Sequence, residues 1–271
     1  MAADQASADR HAEPGTGPRP TPPPWLLMYH SVSDCRDDPY RVTVTPARLD
    51  RQLGWLRRRG LTGVGVGALL RARAAGYGDG LVGLTFDDGY ADFLENALPV
   101  LRRHECTATV FVLPGLLGKD NSWDPLGPRK PLLTAEGIRA VARAGMEIGS
   151  HGLRHENLTE AATADDEVLR RETAYSRQLL RDITGRAPEG YCYPYGAVDA
   201  RAVDAVRRAG YSYACAIDAG DLTGPHALPR AHVDEKDTAP RLRLKQLLHP
   251  LRRRGLTEEP VLPNATWEAG R

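Results

Sequence analysis

The sequence predicts an α/β protein with a single catalytic domain built on a parallel sheet. Strand-like and helix-like patterns alternate about seven times along the chain, which is typical of parallel strands with helices packed around them. The run 107–112, Thr-Ala-Thr-Val-Phe-Val, is β-branched and continuous, as expected of a strand buried on both faces. No strand is followed by the glycine-rich fingerprint of dinucleotide-binding sheets, so we expect a barrel rather than an open sheet.

The elements follow in order from the spacing of apolar residues. Strands are predicted over residues 25–29, 61–66, 81–86, 107–112, 146–149, 191–193, 211–216 and 228–233. Helices are predicted over residues 45–60, 67–75, 92–104, 134–144, 163–183, 199–209 and 241–254. The first helix begins with the start signal Thr45-Pro46 and ends at Gly60. The long loop 114–131 carries Trp123, and we expect it to form one wall of a binding groove.

Length and composition set the domain plan. A chain of 271 residues with 41% hydrophobic and 26% charged residues can form one α/β barrel. We assign residues 1–24 to a flexible leader rich in proline and alanine, 25–237 to the catalytic domain, and 238–271 to a basic C-terminal helix and tail. A net charge of +1 gives no sign of a nucleic-acid partner. Neither a signal peptide nor a membrane-length apolar run is seen, so we expect a cytoplasmic location.

The C-terminal helix admits two interpretations. Its leucines alternate with arginines and Lys245, so it could contact an anionic membrane, or it could be an ordinary solvated amphipathic helix, which we favour. His249 lies in this helix, and we expect it to be at the surface.

Two adjacent carboxylates end the strand 81–86. Asp87, Asp88 and Gly89 read in isolation as a turn, because Asp-Gly is a common turn dipeptide. They also lie where parallel α/β folds place their chemistry, at the carboxyl end of a strand. If one carboxylate binds a metal ion, the other can stay free to accept a proton from water.

A histidine pair follows the strand 146–149. His151 and His155 are four residues apart, and on one face of a helical turn both imidazoles would reach the same cation. Two histidines with one carboxylate leave coordination positions open, as in catalytic metal sites. A solvated loop is the alternative interpretation of this pair.

Two further strand ends carry polar groups. Pro194-Tyr195-Gly196 is turn chemistry that could also hold a backbone N–H for an oxyanion. His30 follows the first strand; a lone histidine is usually structural, but its position beside the other clusters makes it a candidate general acid.

Taken together, these clusters resemble the polysaccharide deacetylases with a NodB-homology domain, the family 4 carbohydrate esterases. The segments 85–90, Thr-Phe-Asp-Asp-Gly-Tyr, and 150–155, Ser-His-Gly-Leu-Arg-His, are similar to that family's first and second motifs. Residues 193–196, Tyr-Pro-Tyr-Gly, resemble the third, and 28–32, Met-Tyr-His-Ser-Val, resemble the branch with an N-terminal Tyr-His motif that contains poly-N-acetylglucosamine deacetylases.

The resemblance implies a distorted (β/α)7 barrel and metal-dependent removal of an N-acetyl group from an amino sugar. It implies that Asp88, His151 and His155 bind the metal, a divalent ion and usually zinc. Asp87 would be the general base, the Tyr195 N–H an oxyanion donor and His30 the general acid, with His232 in reserve.

The sequence departs from the family pattern at two positions. Cys192 stands where the third motif often has an arginine that orients the base, so we expect Asp87 to lack that partner. Gly152 replaces the usual serine or threonine of the second motif.

These features lead to one main functional hypothesis and two alternatives. The main hypothesis is an N-deacetylase acting on an N-acetylated sugar, which could be a glycan precursor or a small-molecule glycoside if the enzyme is cytoplasmic. The alternatives are a catalytically impaired carbohydrate-binding module on the same barrel, and a metal-dependent hydrolase of another amide.

Overall fold

The computed structural model describes residues 23–34, 36–160, 165–217, 222 and 224–249. The predicted leader therefore lies almost wholly outside the described residues, as do residues 250–271 of the predicted C-terminal helix and tail. Among the described helices, none has the length and apolar character needed to cross a membrane.

Strands and helices alternate along the described chain. The strands are β1 (Leu26–Tyr29), β2 (Ser31–Val32), β3 (Thr43–Val44), β4 (Thr62–Val64), β5 (Leu81–Phe86), β6 (Thr109–Val112), β7 (Glu147–Ser150), β8 (Gly190–Cys192), β9 (Tyr213–Ala216), β10 (Leu228–Pro229) and β11 (Ala231–His232). The helices are α1 (Pro46–Arg58), α2 (Val66–Ala74), α3 (Leu98–Arg103), α4 (Ala135–Arg143), α5 (Asp166–Arg170), α6 (Ser176–Thr184), α7 (Ala200–Arg208) and α8 (Ala239–Leu248).

The main sheet is parallel and curves into a nearly closed barrel. Its strands follow the order β10-β9-β8-β7-β6-β5-β1-β11, and β4 pairs with the start of β5. The segment 228–232 closes the ring, because β10 pairs with β9 while β11 pairs with β1. The predicted distorted (β/α) barrel is therefore confirmed.

The predicted strand 228–233 is broken, and the break has a physical cause. Arg230 lies between β10 and β11, and its backbone N–H donates to the Ala216 carbonyl at 3.1 Å. The first half of the segment, β10, pairs with β9, and the second half, β11, pairs with β1. Arg230 is thus the residue at which the chain crosses from one neighbour to the other.

Two predicted helices contain a wider turn. The helix predicted over 92–104 begins with a π-helical turn, Phe93–Ala97, and the helix predicted over 163–183 contains another, Arg171–Tyr175. Such turns arise where packing requires one extra residue in a helix, and hydrophobic periodicity does not reveal them.

The helix α8 packs more closely than the sequence predicts. Leu242 is fully buried, and the Lys245 ammonium donates to the His232 carbonyl at 2.6 Å. His249, expected at the surface, is buried, and its ring nitrogen lies 2.9 Å from the Pro24 carbonyl. Leu244 and Leu247 remain exposed, and the membrane contact of this helix stays a prediction.

Alternation along the strands separates two apolar layers. Leu27, Leu84 and Val110 belong to the layer beneath the helices, whereas Leu26 and Phe111 belong to a smaller cluster. In this smaller cluster Phe111 lies against Gly149, its partner across β6 and β7. A methyl group at Gly149 would meet the Phe111 ring at 2.3 Å, so this position has no room for a side chain.

We expect Gly149→Ala to lower the free energy of unfolding by about 1–3 kcal/mol, because the buried Phe111 ring must move to admit the methyl group. Chemical denaturation measures this change. Gly54→Ala in α1 is the matched control, since a methyl group there meets side chains only at 3.4 Å and helix propensity favours alanine. Equal stability of both variants would contradict the packing assigned to Phe111.

Candidate active site

The predicted site residues meet at the carboxyl ends of the barrel strands. His30 follows β1, Asp87 and Asp88 follow β5, His151 follows β7, and Tyr195 follows β8. A cavity of about 480 Å³ opens there, lined by these residues and by His155. This volume lies within the range of small-ligand pockets.

The backbone sends the two carboxylates in different directions. Asp87 continues the extended strand and donates its N–H to the Tyr29 carbonyl at 2.9 Å. Asp88 has a φ of 67°, in the left-handed region that non-glycine residues rarely adopt. Neighbouring acids can therefore face different partners, Asp87 toward Arg230 and Asp88 toward the histidines.

Asp88 and the two histidines form a compact donor set. Asp88 Oδ1 lies 3.2 Å from His151 Nε2 and 3.4 Å from His155 Nε2. All three side chains are buried, and their donor atoms lie within 4.8 Å of one another. Ligands at typical zinc distances in a tetrahedral site are separated by about 3.4 Å, so this set fits a divalent ion.

The outer nitrogen of His151 fixes its orientation. His151 Nδ1 lies 2.9 Å from the Cys192 carbonyl, to which it donates when Nε2 is left free to bind a cation. Burial opposes ionisation of Asp88, but hydrogen bonds from His151 and His155 hold the pKa of that carboxyl well below its usual range. Asp88 is consequently ionised and available as a ligand at neutral pH.

The two histidines converge through a loop, so the predicted placement on one face of a helical turn is wrong. Gly152 and His155 have φ values of 89° and 68°, which no helix contains. The buried Glu172 carboxylate accepts the N–H groups of Leu153 and Arg154 at 2.7 and 3.1 Å and so holds this loop.

The same loop explains why Gly152 departs from the family pattern. A methyl group at Gly152 would meet the Glu172 carboxylate at 2.7 Å, and the positive φ disfavours any side chain. Glycine is therefore required at this position of the chain.

Asp87 has an arginine partner, so the expectation that it lacks one is wrong. Arg230 Nη1 lies 2.6 Å from Asp87 Oδ1 and 3.0 Å from Thr85 Oγ1. The guanidinium lies over the Phe111 ring, 5.9 Å from its centroid, and the whole side chain is buried. Cys192 occupies the other side of the carboxylate, with Sγ 3.6 Å from Asp87 Oδ2.

The Arg230 guanidinium is the strongest of the charges that lower the pKa of Asp87. Burial favours the neutral acid, but the Arg230 and His151 charges outweigh it and lower the pKa of Asp87. The sequence signal that could have revealed Arg230 is a lone cation within the apolar segment 228–233.

The two candidate acids lie on the same side of the cavity. His30 Nε2 is 3.9 Å from Asp87 Oδ2, and the His30 and His232 ring centroids are 6.2 Å apart. Burial lowers the pKa of His30 despite the nearby carboxylates. His30 is thus a candidate acid within 4 Å of the base, and the His232 ring lies beside it in the cavity lining.

Aromatic rings surround His155. Trp123 stacks on its ring at a centroid distance of 4.5 Å, and the Tyr195 ring lies edge-on at 4.6 Å. Tyr195 has a φ of 58° and is 54% exposed in the cavity. Trp123 and its neighbour Asp124 come from the loop 114–131, which therefore forms a cavity wall as expected.

Asp124 was not identified from the sequence. Burial and the nearby Asp88 carboxylate raise the pKa of Asp124 to about 6. A single aspartate in a loop rich in glycine and proline gives no signal of its own, because such loops are generally polar.

Comparison with known proteins agrees with the fold and the motifs. Residues 75–214, just over half of the chain, match the family described as polysaccharide deacetylase. The chain is 25% identical over 213 residues to YxkH of Bacillus subtilis (strain 168), assigned as a polysaccharide deacetylase, covering 77% of this chain and 70% of that protein. It is 24% identical over 234 residues to the poly-beta-1,6-N-acetyl-D-glucosamine N-deacetylase of Escherichia coli (strain K12), covering 72% of this chain but only 34% of that longer protein.

Solved structures share the barrel. The Streptococcus pyogenes deacetylase PplD, in complex with acetate, superposes with a TM-score of 0.68 at 22% identity, covering 83% of this chain and 98% of that one. IcaB from Ammonifex degensii gives a TM-score of 0.67 at 21% identity, covering 83% and 97%. At these identities the structural likeness supports the fold alone. Because the family match covers more than half of the chain, the chain belongs to the polysaccharide deacetylase family.

Proposed function

We propose that the chain is a divalent-metal-dependent hydrolase that removes the N-acetyl group from an N-acetylated amino sugar. The observation that carries this proposal is that two neighbouring carboxylates in one cavity have different partners. Asp88 lies with His151 and His155, whereas Asp87 is ionised beside Arg230. The E. coli relative named above acts on poly-N-acetylglucosamine, which supports an N-acetylated sugar as substrate.

The proposed metal ligands are Asp88, His151 and His155, and two imidazoles with one carboxylate suit Zn²⁺. When bound, such an ion supplies a Lewis acid that polarises the amide carbonyl and makes water easier to deprotonate. Burial of the three ligands limits their contact with bulk water, so electrostatic interactions within the cavity are strong.

Asp87 is the proposed general base. Its carboxylate accepts a proton from the attacking water, and Arg230 keeps it ionised and fixed by the hydrogen bond at 2.6 Å. The water oxygen adds to the amide carbon, and the carbonyl oxygen takes up the negative charge. The backbone N–H of Tyr195 is the proposed donor to that oxygen.

His30 is the proposed general acid. Breakage of the C–N bond leaves acetate and requires a proton for the departing amine, and His30 lines the same cavity with Nε2 3.9 Å from Asp87 Oδ2. Burial lowers the pKa of His30, which makes its protonated form a stronger donor. His232, whose ring centroid lies 6.2 Å from that of His30, is the alternative donor.

Acetate release from purified, zinc-loaded protein tests the activity directly. We expect release from N-acetylated glucosamine oligosaccharides and none from an N-acetylated peptide amide. Release from the peptide substrate alone would favour the hydrolase of another amide, and no release from either would favour a carbohydrate-binding module.

Substitutions of Asp88 and Asp87 should have different effects on bound zinc. Asp88→Asn and His151→Ala are expected to lose both bound zinc and turnover, because each removes a ligand from a set of three. Asp87→Asn is expected to retain zinc and lose at least about a hundredfold in kcat, because only the base is removed. Elemental analysis of dialysed protein, beside acetate release, measures both. Loss of zinc from Asp87→Asn would instead make Asp87 a ligand.

Arg230 should act on turnover through Asp87. We expect Arg230→Met to lower kcat by about tenfold or more with little change in KM or zinc content, because the base loses its partner while the metal ligands stay in place. Arg230→Lys should restore part of kcat by keeping the charge. If both variants lower kcat equally, with bound zinc lost in step, Arg230 has a merely structural role.

A further inference from the structure

The cavity wall that carries Asp124 is held rigidly. Asn121 is buried, and its side chain accepts the Lys130 N–H at 2.8 Å and donates to the Pro128 carbonyl at 3.3 Å. The Asp124 N–H donates to the Asn121 carbonyl at 3.1 Å. These bonds tie residue 121 to residues 124, 128 and 130 within the loop, so Trp123 and Asp124 are positioned before any ligand binds.

The carboxylate of Asp124 has no hydrogen bond or ion pair with any residue in the described part of the chain. The charges that act on it are the carboxylates of Asp88 and Asp38 and the guanidinium of Arg129. Arg129 is exposed and donates to the Asn121 carbonyl at 3.0 Å. Asp124 thus presents a carboxylate to the cavity without a cation of its own.

The one arginine among the described residues that line the cavity is already paired with a carboxylate. Of the described residues that line it, Arg230 is the only lysine or arginine, and it is buried against Asp87. An anionic sugar beside this loop would meet the Asp124 carboxylate, and no other lysine or arginine among the described lining residues would offset the repulsion. A cationic sugar would pair with Asp124, and the Trp123 and Tyr195 rings that line the same cavity offer aromatic surface for sugar contact and cation–π interaction.

We propose that Asp124 selects glycans in which a sugar next to the reacting N-acetyl group carries a free ammonium group. This inference rests on the proposed function and names the substrate more closely. Hydrolysis of one N-acetyl amide leaves an amine that is protonated near neutral pH. A glycan that has reacted once therefore carries the group that Asp124 binds, and its remaining N-acetyl groups become better substrates.

A set of matched trisaccharides tests this selection. The probes are a fully N-acetylated glucosamine trisaccharide, the same molecule with one terminal amine free, and an analogue with a terminal uronic acid. For the zinc-loaded protein we expect kcat/KM to rank free amine above neutral and neutral above anionic. In Asp124→Asn the ratio of kcat/KM for the amine substrate to kcat/KM for the neutral substrate should fall by about tenfold. The asparagine amide keeps the shape of the side chain but loses its charge.

Asp120→Asn is the matched control, since it removes a carboxylate from the same loop at a position that does not line the cavity. It should leave the ratio unchanged. Calorimetry with the fully deacetylated trisaccharide adds a readout independent of turnover: Asp124→Asn should bind it about tenfold more weakly, and added salt should reduce the difference.

The outcomes distinguish this inference from the proposed function. If the protein releases acetate but Asp124→Asn lowers kcat/KM equally for all three probes, Asp124 only accepts hydroxyl groups and the charge selection is wrong. An unchanged ratio also overturns it. If the wild-type protein releases no acetate from any probe yet binds the deacetylated trisaccharide through Asp124, the proposed function fails while the cationic subsite stands.

Discussion

The buried ion pair between Arg230 and Asp87 connects the closure of the barrel to the chemistry at its mouth. Arg230 lies where the last sheet segment crosses from β9 to β1, and its guanidinium reaches Asp87, Thr85 and the Phe111 ring. A buried guanidinium is costly unless its charge and hydrogen bonds are met. The pair therefore couples the position of the base to the strand pairing that completes the fold.

Three residues at the mouth share a strained backbone. Asp88, His155 and Tyr195 all have left-handed φ values although none is glycine. Such conformations cost about 1–3 kcal/mol each and concentrate where a side chain or N–H must be aimed. Here the left-handed turn at Asp88 separates the two carboxylates, and the turn at His155 brings its ring to Asp88. Rings of Trp123 and Tyr195 then hold that imidazole in place.

Strand ends could be predicted from the sequence, but the contacts that cross the barrel could not. The apolar run 81–86 and the acids that follow it are local features, so the position of Asp87 and Asp88 followed from the pattern. The partner of Asp87 is separated from it by more than 140 residues and lies in a segment that pairs with two strands at once. The expectation that Asp87 lacks an arginine partner was wrong because the cation comes from a distant segment, between β10 and β11.

The conformation of the loop that carries His151 and His155 could not be predicted from the sequence for a similar reason. The spacing of His151 and His155 suggested a helical turn, but the segment is shaped by Glu172, a distant buried carboxylate that takes its N–H groups. Asp124 was missed because nothing local distinguishes it, and only the folded loop shows that its carboxylate faces the site.

A double-mutant cycle on Asp87→Asn and Arg230→Met is the most direct measurement of the coupling between barrel closure and base. Each single variant leaves one buried partner uncompensated, so we predict losses of about 3–5 kcal/mol in the free energy of unfolding. Chemical denaturation measures the loss in the double variant. We expect that loss to be smaller than the sum of the two single losses, by about 2 kcal/mol or more. Additive losses, with a coupling energy near zero, would show that Arg230 and Asp87 do not stabilise each other.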